Sequence, residues 1–533
     1  MKPVKKLSTF YFLTTAFCLL TTGLFLSSCP GVSSHDSKKP KSPRFYEDSV
    51  KKAEFTGDTA TIDFNNLNGH NIYLVSINQS DLVVQAEDTG GFNSPSVNYQ
   101  PEKYIFTPNE LILIDHPGAR EFNANPPPVE KFIQKSFRSV FIPPEVGDTR
   151  EFWVETVMNN NDFVKKQATL RACGLYCNVW IMDENYSVTN SDEKNVTVEQ
   201  ALSLADKFDL LYPLTTAILG FEYGGGPDGD GGIDGDPKIQ ILVYDIAVDT
   251  EDYNVVGYFW AKDYYPESPT LYSNMAEIFY INSYILNLMP ETVYSALIHE
   301  FQHMINFNVK TIEQKKNSAA WYNEMLSLMT EDIISPLIGI SPSNNGHPIQ
   351  RRIGKFLETY NLAGIAEWGV GDDLLASYAK GYAFGAYMLR NFGGAELLQK
   401  LLANNASNIE SITLALQEMD SELNFNEALR RFGEAMIFSG SNMPISSAKT
   451  FDTTVTCNIS SIAYTAYGFD IWKRKQYSNN TLGPLIFNAG PMEMRPYSLL
   501  VQSLPAWKNK FGNYSITLKK PNNPNIELFL MVR

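Results

Sequence analysis

The chain has 533 residues, of which 44% are hydrophobic and 19% are charged, so it can build buried cores and is not a disordered polypeptide. A chain of this length is expected to contain two to four domains. The net charge of −16 gives an acidic surface that repels phosphate backbones. This charge argues against a nucleic-acid-binding function.

The N-terminus has the pattern of a signal peptide. Three lysines precede an apolar run, Phe10–Leu26, and small residues follow it. The sequence Leu26-Ser27-Ser28-Cys29 resembles a bacterial lipobox, which implies cleavage before Cys29 and lipid attachment to that residue. We therefore predict a lipoprotein signal peptide at 1–28, anchoring to a membrane through Cys29, and a place in the bacterial cell envelope facing the periplasm or the exterior. An uncut transmembrane anchor is the alternative.

The rest of the chain is predicted to divide into a tether and three domains. Residues 29–52 are rich in Ser, Lys and Pro and predict a flexible tether. Residues 53–148 predict a β-rich accessory domain, with strands at Thr59–Phe64 and Asn71–Ile77. Residues 446–533 predict a C-terminal β-sandwich domain. Its strands are expected at Tyr467–Lys473, Pro484–Phe487, Tyr497–Gln502, Asn513–Leu518 and Glu527–Val532.

The central region, 149–445, changes from strands to helices along its length. A helix is predicted from Val198, where Thr197 and Gln200 fit a capping box. Long helices are then expected from Glu291 to about residue 439. This order favours an α+β domain. The buried strands that precede the long helices are predicted at Cys177–Met182, Ile239–Ile246 and Glu277–Ile281.

The segment Glu291–Asn308 carries an HExxH motif on a predicted amphipathic helix. His299 and His303 are four residues apart, so both imidazoles lie on one helix face and can hold one ion. Glu300 lies about 100° around the helix from His299, where it can reach a metal-bound water without binding the metal. The spacing therefore predicts a zinc site with Glu300 as the general base.

A third ligand is expected from the helical segment Ala319–Asp332. Its Asn323-Glu324 pair is similar to that of thermolysin-like proteases, the gluzincins, and this resemblance implies Glu324 as the third zinc ligand. Glu331 and Asp332 are rival acids, but they lie later in the helix and are expected on its solvent-exposed face. Gluzincins of the thermolysin type carry an aspartate four residues after the ligand, and it orients the first histidine. Leu328 occupies that position here, and Asp332 is our expected substitute.

The resemblance extends beyond these motifs. The segments HEFQHMINF (His299–Phe307), WYNEMLS (Trp321–Ser327) and SYAKGYAFGAYMLRNFGG (Ser377–Gly394) resemble the hyicolysin family of bacterial metalloproteases. The likeness covers roughly residues 150–440 and implies a zincin-like α+β catalytic domain, bound Zn²⁺ and protein or peptide substrates. It also implies an oxyanion donor downstream of the third ligand. Tyr378 is our candidate, with Tyr382 and His347 as alternatives. His116 lies in the predicted N-terminal domain and is expected at the surface.

Two further features carry open predictions. In Gly224–Asp236, four aspartates alternate with glycines, a pattern that either wraps a calcium ion in oxygen ligands or forms a flexible acidic turn. The candidate calcium ligands are Asp228, Asp230, Asp234 and Asp236. The second feature is a pair of cysteines, Cys173 and Cys177, which are candidates for a disulfide outside the cytoplasm.

Taken together, the motifs predict an extracytoplasmic zinc metalloendopeptidase within a multidomain chain. The alternative from another class is an inactive surface lipoprotein that serves as an adhesin or binding scaffold on a protease fold. Zinc-dependent hydrolysis of a non-peptide substrate is a third hypothesis, because specificity depends on pocket loops rather than on the metal motif.

Overall fold

The computed structural model describes residues 49–533 with internal gaps. The predicted signal peptide, Cys29 and nearly all of the tether lie outside the described residues. Among the helices in the described part of the chain, none combines the length and the hydrophobicity that a membrane span needs. The gaps are 65–66, 68, 93–111, 115, 132–140, 158–161, 190–191, 247–252, 269–270, 370–371, 442–449, 489 and 504–513.

The described residues form a mixed α/β structure. The strands are β1 (Val50–Lys52), β2 (Thr59–Phe64), β3 (Ile72–Asn78), β4 (Gly91–Phe92), β5 (Ile112–Ile114), β6 (Thr149–Glu155), β7 (Phe163–Cys173), β8 (Cys177–Met182), β9 (Ile239–Tyr244), β10 (Tyr253–Val255), β11 (Gly257–Phe259), β12 (Ile278–Asn282), β13 (Val455–Ile459), β14 (Ile462–Ala466), β15 (Phe487–Asn488), β16 (Ser498–Ser503), β17 (Tyr514–Lys519) and β18 (Ile526–Val532). The helices are α1 (Pro117–Ala124), α2 (Val198–Leu219), α3 (Ser283–Leu288), α4 (Pro290–Asn306), α5 (Ala320–Ile334), α6 (Pro348–Thr359), α7 (Asp372–Asn391), α8 (Ala395–Ala403), α9 (Asn408–Gln417) and α10 (Phe425–Phe438).

A six-stranded sheet supports the central region, in the order β11-β12-β9-β8-β7-β6. Strands β8, β9 and β12 run parallel, whereas the others pair antiparallel to their neighbours. Strands β8, β9 and β12 are buried along their whole length, which explains their continuous apolar sequence. The edge strand β11 lies beside helix α4, so the sheet brings its edge to the predicted metal helix.

Local sequence signals define the helices next to this sheet. Thr197 and Gln200 form the predicted capping box at the start of α2, which confirms that prediction. Helix α4 begins at Pro290, where the fixed φ of proline suits a first helical position. Directly after Asn306, helix α4 continues as a π-helical segment, Phe307–Glu313. Helices α2, α4 and α5 pack on one another, and α4 and α5 carry the predicted ligands.

Strands from both ends of the chain share sheets, which differs from the predicted separate terminal domains. The five-stranded sheet has the order β1-β18-β3-β16-β15, and the three-stranded sheet has the order β2-β17-β4. Strand β3 pairs antiparallel with both β16 and β18. Phe45–Arg533 form one compact unit. The physical reason is that β3 is buried on both faces and needs partners on both edges.

One predicted strand is wrong, and one hairpin was not predicted. Within the expected strand Tyr467–Lys473, residues Ile471–Lys473 form a 3₁₀ turn, because the Asp470 side chain accepts a hydrogen bond of 2.9 Å from the amide of Trp472. Strands β13 and β14 form an antiparallel hairpin instead, just before this turn.

Candidate metal centre

Three buried side chains from two neighbouring helices converge at one point. Helix α4 carries His299 and His303 one turn apart, and α5 carries Glu324. One ligand atom from each lies within 4.8 Å of the others. Nε2 of His299 is 3.0 Å from Oε2 of Glu324, and Nε2 of His303 is 3.6 Å from Oε1 of the same carboxylate. The structure thus brings together the predicted metal-ligand set.

The donor set fits a metal ion. His303 is only 3% exposed, and its Nε2 has no hydrogen-bond partner in the described part of the chain. A buried nitrogen left unpaired is costly unless a ligand accompanies it. Two imidazoles and one carboxylate with an open fourth position are the donors of a catalytic zinc site.

Glu331 orients the first histidine. Its Oε1 lies 2.8 Å from Nδ1 of His299, and its other oxygen pairs with Arg351. We expected Asp332 in this role and grouped Glu331 with an exposed face of the helix, and both predictions are wrong. Glu331 follows Glu324 by seven residues, almost two full turns, so the two carboxylates lie on one face of α5.

Ser327 contacts the second histidine. Its Oγ lies 3.1 Å from Nδ1 of His303 and also donates to the side-chain oxygen of Gln302. Both histidines therefore have a partner on the ring nitrogen that faces away from the convergence point. Such partners fix the ring orientation and the tautomer.

Asp332 belongs to a separate buried ion pair. It pairs with Arg390 through contacts of 2.6 and 3.1 Å. His347, one alternative oxyanion donor, caps helix α6 by accepting from the amide of Ile349 and lies 3.7 Å from Asp332. Burial raises the pKa of Tyr382, the other alternative, and the Asp332 charge raises it further. These residues therefore contribute to the core around the Asp332–Arg390 pair.

Charges around the centre oppose the effect of burial. Burial lowers the pKa of His299, but Glu324 and Glu331 raise it well above its ordinary value. Burial lowers the pKa of His303 to about 4. Burial raises the pKa of Glu331, yet Arg351 and His299 lower it to about 2. Glu331 is therefore ionised and His303 neutral at pH 7.

The predicted base, Glu300, faces the edge strand. Its Oε2 accepts a 2.8 Å hydrogen bond from the amide of Phe259 in β11, and the residue is 3% exposed. Asn123 of α1 fixes the same strand, because its amide donates to the Phe259 carbonyl at 2.7 Å and its oxygen accepts from the Ala261 amide at 2.8 Å. An N-terminal helix thus positions the strand that contacts the base.

Two arginines add positive charge near the ligands, and the sequence analysis missed them. Burial raises the pKa of Glu324, but His303, His299 and Arg120 of α1 together hold it below its ordinary value. The guanidinium of Arg352 lies 4.7 Å from the ring centroid of Tyr378, the predicted oxyanion donor. Tyr378 is buried and also packs edge-on against Trp368 at 4.8 Å.

The four loop aspartates do not converge. Asp228 and Asp230 are exposed, whereas Asp236 is buried and accepts hydrogen bonds from Asn178, Lys238 and Gln240. In the part of the chain that the structure describes, the histidine–glutamate centre is the single group of three or more side chains able to hold a metal. The four aspartates therefore do not form the predicted calcium site.

Two other predictions differ from the structure. Cys173 and Cys177 are free thiols at the ends of neighbouring strands β7 and β8. His116, which we expected at the surface, is 1% exposed because its Nε2 lies 2.7 Å from Glu155 and its ring contacts Tyr258 at 4.7 Å.

Comparison with known proteins places this centre in a family. The sequence profile described as Peptidase M30 matches residues 161–517, a range that contains the whole metal centre. The neutral metalloprotease ShpI of Staphylococcus hyicus is 28% identical over 308 residues, which are 55% of this chain and 63% of that relative. The chain thus spans less than two thirds of the relative's length. These matches confirm the family resemblance.

Proposed function

The chain belongs to the peptidase M30 family, and from this premise we propose that it is a zinc-dependent endopeptidase. The observation that carries the proposal is the convergence of His299, His303 and Glu324 beside the buried carboxylate of Glu300. Zinc bound by the three ligands would supply a Lewis acid that polarises a carbonyl and lowers the pKa of water to about 7. Proteins and peptides are the proposed substrates.

Glu300 is the proposed general base. It removes a proton from the attacking water and later delivers that proton to the nitrogen of the leaving amine. The hydrogen bond from the Phe259 amide holds one carboxylate oxygen in place at 2.8 Å. Because β11 is an edge strand, a base fixed to it lies where an extended peptide can pair with a sheet edge.

Tyr378 is the proposed donor to the oxyanion. Its place beneath the Arg352 guanidinium supports this role, since negative charge that develops nearby interacts favourably with the arginine. Burial lowers the pKa of Arg352 to about 10, so the guanidinium is still charged at neutral pH. In this proposal Arg352 supplies positive charge and Tyr378 supplies the hydroxyl donor to the oxyanion.

The test is hydrolysis of unfolded casein by the purified full chain. We expect Glu300→Gln to retain zinc and to lose activity by about 10²- to 10⁴-fold. Tyr378→Phe should lower kcat by about 10²-fold with little change in KM. Glu291→Gln, an exposed change in the first turn of the same helix, is the matched control and should keep full activity.

Each outcome of this experiment has a distinct meaning. Full activity in Glu300→Gln would contradict the assigned mechanism. A wild-type protein that binds zinc but cleaves no peptide would favour hydrolysis of another substrate. A wild-type protein without zinc would favour the inactive surface scaffold.

We also propose that the chain is a lipoprotein anchored through Cys29. The support is the sequence Leu26-Ser27-Ser28-Cys29 after an apolar run. Bacterial cells expressing the chain should yield a mature N-terminal peptide whose mass includes the lipid on Cys29. Cys29→Ser should abolish that mass, whereas Cys18→Ser, within the proposed signal peptide, should not. An unprocessed N-terminus in the wild type would contradict the proposal.

A further inference from the structure

Two buried glutamates that are not among the proposed zinc ligands lie against the glycine-rich loop. Glu222 precedes the loop Gly224–Asp236, and Glu277 precedes strand β12. Each residue is 3% exposed. Buried carboxylates of this kind are normally paired with a cation or fully hydrogen-bonded.

Each of these carboxylates has one satisfied oxygen and one unsatisfied oxygen. Oε1 of Glu222 accepts from the hydroxyl of Tyr212 at 2.8 Å, and Oε1 of Glu277 accepts from the amide of Ile233 at 2.7 Å. Oε2 of each glutamate is buried and has no hydrogen-bond partner within the described residues. An ionised oxygen needs a donor and a protonated one needs an acceptor, so the described residues alone satisfy neither protonation state.

Both carboxylates lie directly against the loop backbone. A Cβ added to Gly225 would be 2.2 Å from Glu222 Oε1, and one added to Gly232 would be 2.0 Å from Glu277 Oε1. A Cβ on Gly224 would lie 1.9 Å from the amide nitrogen of Gly232, so the two sides of the loop touch. The glycines therefore allow the loop backbone to close over the two acids.

The electrostatic surroundings of the two glutamates also favour a bound cation. Burial raises the pKa of Glu277, and the charges of Asp234 and Glu222 raise it further. Burial likewise raises the pKa of Glu222. Among the described ion pairs, neither glutamate has a cationic partner, since Arg150 lies near Asp234 instead. A buried carboxylate that two neighbouring acids repel is stabilised by a small cation of high charge.

We propose that Glu222 and Glu277 bind a calcium-type divalent cation beneath the glycine-rich loop. Carboxylate and backbone carbonyl oxygens are the ligands that Ca²⁺ prefers, in a flexible arrangement of six to eight. The loop backbone lies against both acids, so its carbonyl groups are the proposed source of the further ligands, and Asp234 contributes negative charge. This site has other ligands than the four-aspartate site predicted from the sequence, with which it shares only the nearby charge of Asp234, and it does not depend on the proposed peptidase activity.

The test is calcium binding to the purified, zinc-loaded full chain by equilibrium dialysis. Terbium luminescence gives a second readout, because Tyr212 contacts Glu222 and tyrosine excitation sensitises Tb³⁺ only at short range. We expect about one bound Ca²⁺ per chain and a calcium-dependent rise in Tm for the wild type. Glu222→Gln and Glu277→Gln, which keep the side-chain shape, should lose the terbium signal and the rise in Tm.

Asp228→Asn is the matched control, since Asp228 is exposed in the same loop and should leave calcium binding unchanged. Circular dichroism and zinc content check that each variant is folded. A wild-type chain that binds no calcium would overturn the proposal and leave ordered water as the partner of both acids. Equal binding in the glutamine variants, or loss in Asp228→Asn alone, would also overturn it. If a glutamine variant does not fold, the wild-type stoichiometry and the Asp228→Asn result still decide the matter.

Discussion

Glu331 holds His299 from two turns beyond the proposed ligand Glu324. One of its oxygens contacts the imidazole at 2.8 Å and the other pairs with Arg351. Partners of this kind typically contribute a factor of 10 to 100 to metal affinity. We therefore expect Glu331→Gln to weaken zinc binding by about 10- to 100-fold, measured by competition with a chromophoric chelator.

Asp332→Asn is the control for this prediction, because Asp332 is the next residue and was the partner expected from the sequence. It removes one charge from the buried pair with Arg390. The free energy of unfolding should fall by about 3 kcal/mol, while the zinc affinity of the folded protein stays unchanged. The reverse pattern, with zinc affinity lost in Asp332→Asn and kept in Glu331→Gln, would contradict our assignment.

At the scale of single residues, the sequence predicts the metal ligands better than the residues that orient them. The spacing of His299 and His303 fixes their shared helix face, so the pair can be read without a structure. Glu331 was missed because the family pattern directs attention to the position of Leu328, although a separation of seven residues also returns to the same face. Arg120 could not be found, since it lies in a different helix and precedes Glu324 by more than 200 residues.

At the scale of secondary-structure elements, helix α1 fixes strand β11, which contacts the proposed base Glu300. Asn123 accepts from the amide of Ala261 and donates to the carbonyl of Phe259. Asn123→Ala leaves both backbone groups without this partner, so we expect the free energy of unfolding to fall by about 1–3 kcal/mol. Hydrogen exchange at the Ala261 amide should become faster, and mass spectrometry of the peptide that contains it measures the change.

Asn125→Ala tests whether that effect is specific. Asn125 is exposed at the end of the same helix, and its backbone amide rather than its side chain caps the helix. Its replacement should change the free energy of unfolding by less than about 0.5 kcal/mol. Equal losses in the two variants would indicate a general weakening of α1, and unchanged exchange in Asn123→Ala would contradict the role of this helix.

Elements defined by local signals were predicted well. The capping box of α2 and the proline at the start of α4 need only neighbouring residues, and the apolar run of β8 has the bounds that we predicted. The Asp470 turn was misread because its apolar neighbours resemble a strand, whereas a single side-chain hydrogen bond favours the turn. Pairing between distant strands leaves no comparable local signal.

At the scale of the whole molecule, the two ends of the chain are joined through β3. This strand is flanked by β16 and β18, while β2 pairs with β17. Sequence composition predicted β structure at both ends but could not show that the ends share sheets, because each end reads as an independent run of strands. The sheets therefore link the region before the metal centre to the region after it.

Removal of β18 tests this linkage. The strand lies between β1 and β3, and it buries Leu528, Phe529, Leu530 and Met531. Each such side chain contributes about 1.5–3 kcal/mol, so the four together approach the total stability of about 5–15 kcal/mol that is usual for a folded domain. We expect a chain ending at Asn525 to lose soluble expression and zinc binding together, as measured by soluble yield, thermal unfolding and metal content.

Two further truncations give this prediction its controls. A chain beginning at Phe45 omits only residues outside the compact unit and should keep the Tm of the full chain. A chain ending at 445 removes the whole predicted C-terminal domain. If the ends formed separate domains, this chain would keep a folded, zinc-binding centre. We expect it to fail instead, because β3 would lose both β16 and β18, and a folded, zinc-loaded product would contradict the shared sheet.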